Sequence, residues 1–254
     1  MNRRHAGQEW DAYLAGFHEK RPGITERLLS RSLDARGATP YDWVAGALSD
    51  SGPVVDVACG SAPLWNPRLA GRYLGVDLSS AELDLARQRG AHRLTRGSAE
   101  VLPVETGTAA TVVCSMALMV LPDLPAALGE TRRVLRPGGR FVAIVPTIPR
   151  RLDDLVFGAG LVRAARGPLS YRNDPLLRRP RRLFAEQGLT ITEDTRRTYR
   201  FDLSADGAAD AAASFYLRGP QSARESEVAH YLSRASRRGR TMPIPIRRIL
   251  ARLN

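Results

Sequence analysis

Two aspartates and the turn that follows the first carry the clearest chemistry in the chain. Residues 54–63 read VVDVACGSAP, so Asp56, Ala58, Gly60 and Ala62 alternate through a turn with glycine only at the middle position. A turn that cradles a pyrophosphate needs more glycine or a lysine, and this one has neither G-x-G-x-x-G nor a P-loop lysine. Gly60 alone still permits close backbone approach by a ligand without phosphates. Asp77 lies 21 residues after Asp56 and ends the run YLGVD. A carboxylate at that place can accept both hydroxyls of a ribose.

Those residues need strands to hold them. VVDVAC, YLGVDL, TVVCSM and RFVAIVP are short and rich in β-branched residues, as buried parallel strands are. Between them, SAELDLARQRG (80–90) and DLPAALGETRRVL (123–135) place apolar residues at helical spacing and stop at Gly or Pro-Gly. The pattern is a βαβ series, hence a doubly wound α/β sheet, in which ligands bind beyond the carboxyl ends of the strands. The loops after four strands are therefore predicted to converge on one crevice: Ala58 to Ala62, Asp77, Ser98 to Glu100, and Ser115 to Met119. The first 50 residues read as broken helices, the last opened by Thr39 as cap and Pro40 in the first turn.

Composition limits the answer further. With 254 residues, 43% of them hydrophobic, the chain can bury a full core, and one domain is expected. No apolar run approaches the ~18 residues that span a bilayer, and the start lacks an apolar leader core, so the expectation is a cytoplasmic protein with no membrane partner. Cys59 and Cys114 are the only cysteines, which allows neither a disulfide framework nor a cysteine zinc cluster; both are expected buried and reduced, and no metal site is predicted. Positive charge is one-sided: residues 1–146 carry 17 basic against 15 acidic residues, residues 147–254 carry 21 against 11. Such a surface is compatible with RNA, with an anionic metabolite, or with no ligand.

In order, VVDVACGSAP, YLGVDLSSAELDLAR, RGSAEVLPVETGTAATVVCSMALMVLPD and ETRRVLRPGGRFVAIVP resemble the motif set of class I S-adenosylmethionine-dependent methyltransferases over about residues 52–146. The resemblance implies a Rossmann-like seven-stranded sheet of order 3-2-1-4-5-7-6 with its last strand antiparallel. It implies a single domain divided into a helical cap (1–50), a cofactor core (51–146), a substrate-side insertion (147–175) and a C-terminal part (176–254). S-Adenosylmethionine is the implied cofactor. Ala58, Cys59, Gly60 and Ser61 would line its methionine part; Asp77 would take the ribose and Leu78 pack on adenine. Ala99 and Glu100 would edge the purine, with Ser98 where an aspartate often meets the adenine amino group. Ser115, Met116 and Ala117 would lie beside the methyl. Ala62 stands where glycine is usual.

The acceptor is less legible. No Asn-Pro-Pro-Tyr motif follows the fourth strand, which speaks against an amino-group methylase of adenine, and no DNA partner is expected. The apolar wall CSMALMVLPD stands there instead, and Met119 in it is a candidate substrate contact. Among His5, His18, His92 and His230, His18 is the candidate base, because AGFHEKRPGIT lies in the cap; Tyr13 and Tyr41 could close the site or orient a substrate. Three functions remain open: methyl transfer to a small-molecule O, N or C acceptor; methylation of RNA, ribosomal RNA included, with phosphate contacts from Arg178, Arg179, Arg181 and Arg182; and a cofactor-binding protein without transfer chemistry. The small acceptor is preferred, with a pocket closed by Trp10, Tyr13, Phe17, Tyr41 and the insertion.

Overall fold

The four apolar runs lie side by side in one sheet, in parallel, as their composition predicts. The protein is described here from a computed structural model that covers residues 3–169, 171–204, 206–217 and 221–253. The first 50 residues contain α1 (Arg3–Lys20), α2 (Ile24–Ser30), a two-residue strand β1 (Ser32–Leu33) and α3 (Pro40–Ala45). Thr39 opens α3 with a reciprocal capping box: its hydroxyl accepts from the Asp42 amide at 3.1 Å, and its own amide donates to the Asp42 carboxylate at 2.8 Å. The core follows as β2 (Val54–Val57), β3 (Tyr73–Asp77), α4 (Ser80–Gln88), β4 (Leu94–Arg96), β5 (Ala109–Ser115), α5 (Leu124–Val134) and β6 (Leu135–Pro146). The remainder supplies α6 (Leu152–Ala164), α7 (Asp174–Leu177), α8 (Pro180–Glu186), β7 (Leu189–Phe201), α9 (Gly207–Ala213), α10 (Gln221–Ser236) and β8 (Met242–Leu253).

The sheet runs β4-β3-β2-β5-β6-β8-β7-β1. Without β1 this is the expected order 3-2-1-4-5-7-6, and β8 is antiparallel to both neighbours. The correction is the eighth strand. Ser32 and Leu33 pair with Phe201 and Arg200 of β7, covering part of an edge that would otherwise present unpaired backbone groups.

Two proline features resolve into sheet irregularities. The Arg-Pro-Gly-Gly stop after α5 stays within β6 as a bulge: Ala109 pairs with Leu135, and the ladder resumes at Thr111 with Arg140. Pro243 and Pro245 sit inside β8, but β6 pairs with β8 only as far as Ile246, so the missing amides face no partner strand. Apolar side chains fill both faces of the sheet; Val112, Val113, Val142 and Ile144 are fully buried.

Candidate functional site

A cavity of about 580 Å³ lies where the loops after β2, β3, β4 and β5 meet beneath α1 and α2. The sheet therefore brings together nearly all residues the sequence singled out. Ala58, Cys59, Gly60, Ser61, Asp77, Leu78, Ala99, Glu100, Ser115, Met116 and Ala117 line it, as do Tyr41 and His18. The turn after β2 keeps Ala58, Gly60 and Ala62 all at positive φ, between 53° and 54°. For the alanines this left-handed backbone costs about 1 to 2 kcal/mol each. Met116 makes a similar bend after β5 (φ 60°), which turns residues 115–117 toward the cavity. Leu78 is 57% exposed at its mouth.

Asp77 anchors the floor. Its Oδ2 accepts from the Gly60 amide at 2.8 Å and its Oδ1 from the Ser79 amide at 2.8 Å. A carboxylate accepts about four hydrogen bonds, so each oxygen keeps capacity for a ligand hydroxyl. Burial raises the Asp77 pKa, and the two amides oppose that rise. Asp56, 1% exposed, accepts the Tyr73 hydroxyl on Oδ2 at 2.8 Å. Its Oδ1 and the Ser115 Oγ are buried without a hydrogen-bond partner among the described residues, and both residues line the cavity. Burial, helped by the neighbouring Asp77 and opposed by Tyr73, pushes Asp56 up to about 7.

Glu82 was not singled out from the sequence, where Ser-x-x-Glu at 79–82 reads as a capping box. Ser79 does cap α4, accepting from the Glu82 amide at 3.2 Å, but its own amide is taken by Asp77. The Glu82 carboxylate is thereby released into the site, where it accepts from the Gly23 amide at 2.9 Å and meets His18 Nδ1 at 2.9 Å. On the other side of the ring, His18 Nε2 lies 2.9 Å from the Tyr216 hydroxyl. An ionised carboxylate can only accept, so Nδ1 carries the proton and Tyr216 donates to Nε2. Tyr216 is held by Phe17 (centroids 4.9 Å apart), Trp10 (6.2 Å) and Tyr171 (6.1 Å), and burial raises its pKa, the Tyr171 phenol adding to the rise and a Thr25 hydrogen bond opposing it. A second pin joins cap to turn: the Ser61 hydroxyl donates to Glu26 at 2.5 Å, and Arg89 pairs with the same carboxylate.

Several expected positions fall elsewhere. Ser98 is absent from the cavity wall; its hydroxyl donates to the Glu100 carboxylate, which does line it. Met119 is 2% exposed in the hydrophobic core, because the chain turns inward after Ala117. Tyr13 also lies away from the cavity. On α1 the stripe Asp11, Leu14, Ala15, His18 and Glu19 faces the site, whereas Trp10, Tyr13 and Phe17 form the aromatic stripe that packs aside, with Trp10 and Tyr13 stacked at 5.3 Å. Of the aromatic lid residues, Tyr41 alone lines the cavity, and Tyr216 replaces the others.

The insertion contributes no lining residue among those described. It braces from behind, with Asn173 Nδ2 donating to the carbonyls of Leu118 (2.8 Å) and Leu121 (2.9 Å). His92 and His230 lie outside the cavity, and the side chain of His5 is outside the described residues. Cys59 and Cys114 are buried and unbridged. No group of three or more potential metal ligands occurs among the described residues.

The wall charge is distinctive. Seven carboxylates line the cavity, those of Asp11, Glu19, Glu26, Asp56, Asp77, Glu82 and Glu100, against one arginine, Arg96. Arg178, Arg179, Arg181 and Arg182 lie outside it; Arg181 bonds the Ile191 carbonyl and Arg182 pairs with Glu186.

Residues 55–143 match the family described as "Methyltransferase domain". Among curated proteins, the chain is 36% identical over 127 residues to malonyl-[acyl-carrier protein] O-methyltransferase of Serratia marcescens, covering 42% of this chain and 49% of that one. It is 34% identical over 115 residues to demethylmenaquinone methyltransferase of Lactiplantibacillus plantarum, covering 40% and 48%. The chain thus spans about half the length of the curated relatives it matches. Its fold is similar to that of the YcgJ protein of Bacillus subtilis, with a TM-score of 0.52 at 17% identity over 84% of this chain and 98% of that one.

Proposed function

We propose that the chain, whose residues 55–143 match the methyltransferase-domain family, is a class I S-adenosylmethionine-dependent methyltransferase that moves a methyl group from S-adenosylmethionine to a small-molecule O, N or C acceptor. The observation that carries this reading is the single cavity that joins the cofactor turn to a Glu82–His18–Tyr216 chain under the cap. Its donor set fits the cofactor. Asp77 retains acceptor capacity for two ribose hydroxyls, and the unpartnered Asp56 Oδ1 and Ser115 Oγ suit an ammonium group. Seven carboxylates suit a ligand that carries positive charge on both nitrogen and sulfur.

When bound, S-adenosylmethionine supplies a methyl that the acceptor's electron pair captures as the carbon–sulfur pair returns to sulfur. For an O–H or N–H acceptor, the chain must then remove a proton. The Tyr216 oxygen takes it while the phenol proton passes to His18 Nε2, and Glu82 holds the resulting imidazolium. Burial keeps Tyr216 a neutral phenol until that moment. The same wall disfavours a polyanionic acceptor such as RNA, since Arg96 is its only arginine among the described residues and the four arginines needed for phosphate contact lie elsewhere.

Labelled S-adenosylmethionine, incubated with the small-molecule and RNA fractions of a cell extract, tests the reading. Label should enter a low-mass product. For an O–H or N–H acceptor, His18→Ala and Tyr216→Phe should each lower kcat about 100-fold while leaving S-adenosylhomocysteine affinity within threefold. Label confined to RNA, or none in either fraction, refutes the proposal; full activity in both variants removes the proton relay alone.

A further inference from the structure

Five of the nine exposed large hydrophobic side chains among the described residues fall in one short segment: Ile148, Leu152, Leu155, Val156 and Val162. From Leu152 onward they share one face of α6, with exposed Ala159 completing the stripe at the i, i+3, i+4, i+7, i+10 spacing of a helix face. The helix cannot rotate to hide them, because its other face is fixed. Asp154 is held by Arg200 through two bonds of 2.6 and 3.0 Å, Phe157 is 2% exposed with the Tyr231 ring edge-on at 5.4 Å, and the Tyr231 hydroxyl donates to the Phe157 carbonyl at 2.8 Å.

Arginines bracket the stripe. Arg150 and Arg151 precede the helix, Arg163 lies in its last turn, and all three are exposed; Arg166 follows, paired with Glu227. Asp153 is the one exposed carboxylate of residues 148–166. At 13 residues α6 is about 20 Å long, too short to cross a bilayer, and no described helix is long and apolar enough to do so. It can, however, lie in the plane of an interface.

We propose that α6 docks the protein on an anionic lipid surface, its apolar stripe entering the acyl boundary and its arginines meeting phosphate headgroups. The charge pattern selects this occupant over a second copy of the chain. A two-fold contact through the stripe would set arginine-bracketed ends against one another, with Asp153 the one exposed carboxylate of residues 148–166 on each copy and Glu227 already paired with Arg166. An anionic bilayer satisfies both ends and the apolar centre together. The sequence-based expectation of no membrane partner rested on the lack of a spanning run, a requirement that a surface helix does not have. The inference is independent of which acceptor the cavity takes.

Sedimentation of the full chain with phosphatidylcholine vesicles, with and without phosphatidylglycerol, provides the test. The protein should sediment with the anionic vesicles, much less with the neutral ones, and lose binding as salt rises. Arg150→Gln, Arg151→Gln and Arg163→Gln should each weaken partitioning about fivefold. Leu152→Gln with Val156→Gln should weaken it at least tenfold by removing the inserted surface. All these side chains are exposed, so S-adenosylhomocysteine affinity and thermal unfolding of the variants should match the parent and report an intact fold. The proposal is overturned if the parent does not sediment with anionic vesicles or if the variants partition equally. It is also overturned if the parent is a dimer in solution that the Leu152→Gln, Val156→Gln pair dissociates.

Discussion

Changing Asp56 to asparagine should make the protein more stable and its cofactor affinity worse, each in a defined pH range. The ordinary aspartate value is 3.8, and burial moves Asp56 to about 7. That rise of about 3 corresponds to at most ~4 kcal/mol of penalty for ionising the folded carboxyl. Its folded pKa is raised, so the folded state retains a proton that the unfolded chain gives up. Stability from this group is therefore lost as pH rises from about 4 to about 7, and the deficit is complete above 7. Asparagine keeps an oxygen for the Tyr73 hydroxyl but carries no charge. The variant's advantage in urea unfolding should thus be near zero at the acid end and grow to a few kcal/mol by pH 8.

Cofactor binding runs the other way. An ammonium placed against the unpartnered Oδ1 draws the carboxyl into its charged form. The dissociation constant of S-adenosylhomocysteine for the parent should therefore fall by up to tenfold per pH unit between pH 5 and about 7 and then level off, whereas the asparagine variant should be weaker at pH 8 and flat. Calorimetry over that range, beside the unfolding series, measures both. Superimposable pH profiles of parent and variant in the two assays would refute the reasoning from burial to charge.

Asp77→Ala removes the acceptor proposed for two ribose hydroxyls, and at least a tenfold rise in the S-adenosylhomocysteine dissociation constant is expected by calorimetry; unchanged affinity in a folded variant removes that assignment. Burial raises the pKa of both thiols, so Cys59 and Cys114 should resist alkylation in the native protein and react as two free thiols after unfolding. Mass spectrometry distinguishes this from a stoichiometric bridge between them, which would contradict it.

What could be read in advance was local chemistry whose place in space follows from the sheet. A run such as VVDVAC must be a buried strand, and in a parallel sheet the residues after each strand converge at one end, so Gly60, Asp77 and Ser115 meet whatever the remaining packing does. Thr39 and Pro40 start α3 for equally local reasons. Side-chain direction needed partners far away in the chain. Both stripes of α1 have helical spacing, and only packing against Tyr216 decided that Trp10, Tyr13 and Phe17 turn from the cavity while His18 enters it. Glu82 is a capping-box residue by pattern and a site residue in fact, because Asp77 had already taken the Ser79 amide. Tyr216, 198 positions from His18, is invisible to any local rule. Periodicity tells which residues share a face, but the face that meets a cavity is chosen by contacts distant in sequence, and those exist only once the chain has folded.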